Sequence, residues 1–374
     1  MAGIYIHIPF CKQACHYCNF HFSTSFDTQS DIVKAIVTEL DQRYTYMPIK
    51  SLDTIYFGGG TPSVLKVDEI ATILRAINKY FEYDNFAEIT LEANPDDLSK
   101  EYLEQLKSIG INRLSIGVQS FHDEDLSFMN RSHDAKQALS SIGDALNIFD
   151  DISIDLIFGG QYSKQKNWTD NLKIALDFNV PHLSCYSLTI EEGTAFNNWI
   201  KKNKIQPIED GKQKEQFLET IDTLSKAGYE HYEISNFAKS GKYARHNTNY
   251  WKNKTYLGIG PAAHSFDGHS RQWNIANNHQ YLEGVLKNEK YYTTEILSNQ
   301  DKYNEYILTS LRTMWGCNRA VINSFDSVYR EHFDNTIGRI VATKKAHLEN
   351  DILYLTKEGK LFADHVAEEL FYLN

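Results

Sequence analysis

Short apolar runs alternate with longer amphipathic stretches from the start of the chain to about Tyr232, and this rhythm constrains the fold more than any other feature. Ile4 to Ile8, Leu52 to Phe57, Glu88 to Ala93, Arg113 to Val118, Ile152 to Phe158 and His182 to Leu188 read as strands. Helices are expected over Asp27 to Tyr44, near Val67 to Tyr80, from Ser99 to Ile109, near Asp134 to Phe149, over Asn167 to Phe178 and at about Gly211 to Ala227. In the first of these, Ile32, Val33, Ile36, Val37 and Leu40 share one face. Gly110 suits the C-terminal cap of the third. Six strand–helix units in succession imply a parallel sheet with right-handed crossovers. Six is fewer than the eight of a closed barrel. The first expectation is therefore an α/β fold, an open partial (β/α)6 barrel, with a doubly wound sheet as the alternative.

In either architecture ligands collect at the C-terminal ends of the strands. The chemically notable residues lie there. Cys11 to Cys18 follows the first strand, Gly58 to Gly60 the second, Glu92 closes the third, Gln119 lies just past the fourth and Asp155 sits in the fifth. The periodicity changes after about Tyr291. From Asp301 two or three helices, a β pair around Asp351 to Leu355 and a last helix through Phe362 to Leu370 suggest a small, mainly helical, winged-helix-like domain. The expected division is a core over 1–235, a barrel extension over 236–298 and the C-terminal domain over 299–374.

Composition narrows the function. A formal charge of −11 repels phosphate backbones and argues against a nucleic-acid partner. Three of the five cysteines crowd into eight residues, a poor disulfide framework and a good metal site, which points to a reducing compartment. The first residues lack the basic and long apolar regions of a signal peptide, and no run approaches the roughly 18 apolar residues of a membrane span. A soluble, cytoplasmic protein is expected.

Cys11, Cys15 and Cys18 have C-x3-C-x2-C spacing. Three thiolates suit an iron–sulfur cluster, and a [4Fe-4S] cluster so held keeps one iron free for a small molecule. The alternative is a Cys3His zinc site completed by His7, His16 or His21. Gly58-Gly59-Gly60-Thr61-Pro62 follows a strand; its glycines allow close backbone approach and expose amides, and no Gly-Lys-Ser/Thr follows as in a P-loop.

The cysteine loop, with Tyr17 before its last cysteine, resembles the radical S-adenosylmethionine superfamily. That resemblance implies a [4Fe-4S] cluster whose open iron is chelated by the methionine amine and carboxylate, and reductive cleavage to a 5′-deoxyadenosyl radical. YIHIPFC from Tyr5, FGGGTP, LEANP from Leu91, RLSIGVQSF from Arg113, Asn130-Arg131 and IDLIFG from Ile154 resemble, in order, its coproporphyrinogen dehydrogenase-like branch. The resemblance implies S-adenosylmethionine contacts from Tyr5, Tyr17, Gly59, Gly60, Thr61, Glu92, Gln119, Arg131 and Asp155. Carboxylates at Glu92 and Asp155 can accept from ribose hydroxyls or the methionine amine, and Arg131 can pair a carboxylate.

Two departures separate this chain from the dehydrogenases of that branch. Phe20 stands where they carry a further cysteine, and they have a longer N-terminal extension. Both features are similar to the HemW subgroup, which implies a haem chaperone rather than a coproporphyrinogen dehydrogenase. So does His246-Asn247-Thr248-Asn249-Tyr250-Trp251, an H-N-x-x-Y-W segment. On this resemblance His246 ligates haem iron and Tyr250 and Trp251 pack against the porphyrin; from the residues alone, a buried histidine with two structural aromatics is the preferred reading. His264 is a lesser candidate, with turn capping as its alternative. The implied partners are haem and apo-haemoproteins such as respiratory cytochromes, reached at the inner membrane from the cytoplasm, and a homodimer supported by the cluster. The competing expectation is an oxygen-independent coproporphyrinogen III oxidase-type enzyme acting on a tetrapyrrole.

Overall fold

The computed structural model describes residues 2–160, 164–207 and 209–373. The first six strands are β1 (Ala2–Ile8), β2 (Thr54–Gly59), β3 (Glu88–Ala93), β4 (Arg113–Gln119), β5 (Ile152–Phe158) and β6 (His182–Ser187). They pair in parallel and in chain order. A doubly wound sheet would reverse direction at a switch point. Sequential order without reversal is the barrel-type solution, so the α/β partial-barrel expectation holds.

The helices between the strands are α1 (Gln29–Arg43), α2 (Val67–Asn78), α3 (Lys100–Ser108), α4 (Asp123–Phe128), α5 (Ala135–Leu146), α6 (Gln165–Asp177), α7 (Ala195–Lys201) and α8 (Asp210–Lys226). Ser99 caps α3 by accepting from the Tyr102 amide, and Gly110 takes a φ of 101° just past its end. Two of these helices, α4 and α7, were not anticipated: at six and seven residues they are too short to show a period. Both pack against the cysteine loop.

Strand β1 shows how the layers are made. Ile4, Ile6 and Ile8 are fully buried against the outer helices, each contributing roughly 1.5–3 kcal/mol. The alternate residues Gly3, Tyr5 and His7 face the lumen, where Gly3 meets Thr54 and His246 and Tyr5 stacks on Tyr56. The lumen is unusually polar. Thr54, Glu88, Thr90, Arg113, Ser153, His182 and Ser184 are all buried there.

The sheet is larger than expected. Among the described residues it has twelve strands, because β7 (Glu230–Glu233) and β8 (Asn236–Ala238) add beyond β6, and β9 (Thr255–Ile259), β10 (His264–Phe266), β11 (Ser270–Asn274) and β12 (Tyr292–Ile296) add beyond β1. Strand β9 pairs in parallel with β1, so the expected first strand is internal. Helix α9 (Arg245–Trp251) precedes it, and α10 (Asn278–Lys287) packs on α1. A second core runs from Tyr303 to Leu370, with α11 (Asn299–Leu311) and later helices around a three-stranded sheet of Cys317–Asn318, Ala346–Glu349 and Ile352–Leu355.

Candidate functional site

The three cysteines lie in a loop that leaves β1 at the C-terminal end of the barrel. Its backbone is tied down at several points. Cys11 and Ser23 are laced by the Cys11 amide to the Ser23 carbonyl at 3.0 Å and the Ser23 amide to the Pro9 carbonyl at 2.9 Å. The His16 amide donates to the Met129 carbonyl, and the His16 carbonyl accepts from Phe196 at the start of α7. Asn130, in the left-handed region at φ 57°, donates its amide nitrogen to the Ala14 carbonyl at 2.7 Å and accepts from Gln13 at 2.6 Å. The Asn130-Arg131 pair thus holds the loop as well as facing the cleft. Sequence reading singled out only Arg131; the signal for its neighbour was the residue type, since Asn tolerates positive φ.

The glycine segment does something different from what was expected of it. The Gly60 amide donates to the Ile8 carbonyl at 2.9 Å, the Thr61 amide to the Phe10 carbonyl at 2.8 Å and the Gly59 amide to the Glu92 carboxylate at 3.2 Å. These amides are spent inside the protein rather than exposed to a ligand. Their work is to draw β2 against the root of the cysteine loop. A Cβ at Gly60 would come within 2.7 Å of the Phe10 carbonyl oxygen and 2.8 Å of that of Ile8, so only glycine permits the approach. Thr61 then reaches Cys11 with its hydroxyl, 3.4 Å from Sγ.

A cleft of about 390 Å³ opens beside the loop. Cys11, Cys15, Cys18, Tyr17, Gly59, Gly60, Thr61, Glu92, Gln119, Arg131 and Asp155 all line it. Tyr5 does not: it stacks beneath Tyr56, donates or accepts at His7 Nδ1, 3.2 Å away, and faces a neighbouring cleft. Arg131 is fixed by the Asn94 side chain at 2.7 Å and the Gly117 carbonyl at 2.6 Å, and points its other amino group at Cys15 Sγ and the Tyr17 hydroxyl, both at 3.3 Å. Asn94 is a further positioning residue.

The electrostatics of the cleft are those of a site awaiting a charged partner. Burial pushes the Glu92 carboxyl up to about 7, against the hydrogen bonds from Tyr56 at 2.7 Å and Gly59. Burial likewise raises Asp155, which accepts from the Ser115 hydroxyl at 3.2 Å. Gln119, at φ 69°, leaves its buried Oε1 without a hydrogen-bond partner. Such groups cost free energy unless something completes them. Burial also pushes the Cys11 thiol up to about 12 against the Thr61 hydrogen bond and the charge of Arg131, so the thiolate that metal ligation needs would require the further charge of a metal.

The residues fit an iron–sulfur cluster better than zinc. The three cysteines are free thiols. Of the histidines that could complete a zinc site, His7 has both ring nitrogens bonded, to Tyr5 and the His21 carbonyl, while His16 bonds the Phe128 carbonyl through Nδ1 and His21 bonds Asn278 through Nε2, each at 2.8 Å. Glu92, Gln119 and Asp155 face the same opening as the thiols, and of these Gln119 keeps its buried Oε1 without a donor.

The H-N-x-x-Y-W segment forms α9 and closes the opposite end of the barrel. His246 is buried. Its Nδ1 meets the Thr54 hydroxyl and its Nε2 the Tyr250 hydroxyl, both at 2.8 Å, while its amide donates to Glu88 at 2.9 Å. Thr54 and Glu88 open β2 and β3, so His246 plugs the N-terminal end of the lumen. The expected haem-ligand role would require this arrangement to break, because both ring nitrogens of the buried ring are already hydrogen-bonded. Tyr250 and Trp251 do line a concavity, a second cleft of about 940 Å³. His264 is exposed at the first position of β10 and caps no turn.

A partial (β/α)6 barrel carrying C-x3-C-x2-C after its first strand and a polar cleft at the strand ends defines the radical S-adenosylmethionine fold. The family described as Radical SAM superfamily matches residues 5–174. Within it the chain belongs to the HemW family. It is 33% identical to Heme chaperone HemW of Bacillus subtilis, with 98% of each chain covered, and 30% identical to that of Lactococcus lactis over 98% of this chain and 96% of the relative. The solved structure of coproporphyrinogen III oxidase (HemN) from Escherichia coli superposes with a TM-score of 0.83 over 99% of this chain and 90% of the other, at 22% identity, which speaks to the fold alone.

Proposed function

We propose that the protein is a haem chaperone that assembles a [4Fe-4S] cluster on Cys11, Cys15 and Cys18, holds S-adenosylmethionine beside it and passes haem to apo-haemoproteins such as respiratory cytochromes. The observation that carries the cofactor part is the convergence of three free thiols with Glu92, Gln119 and Asp155 on one cleft. A cluster held by three thiolates supplies one open iron and an electron. Thr61 and Arg131 donate toward the Cys11 and Cys15 sulfurs, which favours the anionic thiolates. Glu92 and Asp155 would accept from the cofactor's amine or ribose hydroxyls, and Tyr17, Gly59, Gly60 and Gln119 would shape the space around it.

The haem part rests on the relatives' names and on the second cleft, whose aromatic wall includes Tyr5, Tyr250 and Trp251. Cytoplasmic work with delivery at a membrane surface, and a homodimer, belong to the same proposal; no described helix is long and apolar enough to cross a membrane. Phe20, with 69% of its surface exposed, occupies the place of the dehydrogenases' extra cysteine and lines both clefts. The test is one anaerobic assay of reconstituted full-length protein with dithionite, S-adenosylmethionine, haem and coproporphyrinogen III in parallel. A brown chromophore, a Soret band with haem and unchanged coproporphyrinogen support the proposal. Conversion of coproporphyrinogen at useful rates overturns the chaperone reading in favour of the enzyme.

A further inference from the structure

With His246 buried, the second cleft needs another source of iron ligation. It lies between α9, the cysteine loop's end at Asn19-Phe20, and the β10–β11 hairpin. Three histidines line it. His7 and His21 are hydrogen-bonded within the protein, as described above. His264 is exposed, and among the described residues its ring has no hydrogen bond; it stacks on its cross-strand partner Trp273 with centroids 6.2 Å apart. Although the residue as a whole is exposed, the protein around its ring displaces enough water that this desolvation, together with the charge of Arg271, lowers its pKa and favours the neutral form that ligates metals.

Two cations share the cleft. Arg271, paired across the hairpin with Phe266, packs its guanidinium 5.6 Å from that ring, bonds Glu305 at 3.0 Å and keeps a buried Nε without a partner. Lys254 follows α9. We propose that this cleft is the haem site, with His264 as an axial ligand and Lys254 and Arg271 pairing the two propionates. The inference rests on the haem-binding reading above. The same imidazole also edges a smaller concavity of about 620 Å³ beside Trp273. The larger cleft is assigned because it joins the aromatic wall to both cations.

The test titrates full-length protein with haemin and with haemin dimethyl ester, following the Soret band in wild type, His264→Gly and Lys254→Gln. His264→Gly should displace the band and weaken binding by about ten-fold or more, and added imidazole should restore both. The ester should bind the wild type several-fold more weakly than haemin, and Lys254→Gln should narrow that gap. A wild-type band and affinity in His264→Gly, or a loss that imidazole fails to rescue, overturns His264 as ligand while the haem reading stands. Equal affinity for the ester and haemin overturns the carboxylate pairing. No band in the wild type overturns both this inference and the haem reading.

Discussion

The two ends of the barrel hold similar residues in opposite states. At the N-terminal end, His246 has both ring nitrogens bonded and Glu88 accepts two backbone amides, although Arg113 Nε and Asp151 Oδ1, 3.5 Å apart, make no hydrogen bond. At the C-terminal end, Glu92 makes no ion pair among the described residues, Gln119 keeps an unpartnered oxygen and three cysteines are in no disulfide. Satisfied polar groups stabilise; unsatisfied ones cost free energy and persist where a ligand completes them. Residue type does not distinguish His246 from His264, but their hydrogen bonds do: His246 has both ring nitrogens bonded, and among the described residues the His264 ring has none.

The contrast can be broken most sharply at the open end. Cys15→Ala should abolish the chromophore and bound iron after anaerobic reconstitution while leaving the thermal unfolding of the iron-free chain within a few degrees, as iron analysis and calorimetry would show. At the closed end, His246→Ala should do the reverse. It leaves the Thr54 and Tyr250 hydroxyls unpaired around a cavity, at a cost of about 2–4 kcal/mol in denaturant unfolding. The haem-bound absorption spectrum of that variant should match the wild type; a lost Soret band would restore His246 to the ligand role.

A subtler test uses pH. The Glu92 carboxyl, raised to about 7, holds its proton in the folded chain where the unfolded chain has ionised at about 4.3. Between those values the folded state binds more protons, so ligand-free stability falls as pH rises through the window and levels off above it. Asp155, also raised by burial, adds the same sign. Glu92→Gln should flatten the slope and stabilise the ligand-free protein above pH 7 by on the order of 1–3 kcal/mol, measured by urea titration at pH 5 and 8. The smallest effect is expected at Phe20. Exposed as it is, Phe20→Ala should alter stability by less than about 0.5 kcal/mol.

Much of this was legible beforehand. The strands Glu88–Ala93 and Ile152–Phe158 lie where the apolar runs placed them, because a strand buried on its outer face writes its bounds into composition. The cysteine loop was legible from spacing alone. Helices α4 and α7 were not, being too short for a period, although they grip the loop through Met129 and Phe196. The parallel pairing of β9 with β1 was hidden because partners some 250 residues apart leave no local trace.

The order of strands, the cysteine loop and its neighbours at the strand ends follow from local pattern, since period and spacing are properties of adjacent residues. Which polar groups are left open was settled only when distant segments met. His246 became a plug because Thr54 and Tyr250 converge on its two nitrogens, and His264 stayed free because the hairpin that carries it turns that ring toward a cleft. Hydrogen-bond satisfaction is a property of three-dimensional neighbours, and no one-dimensional reading contains it.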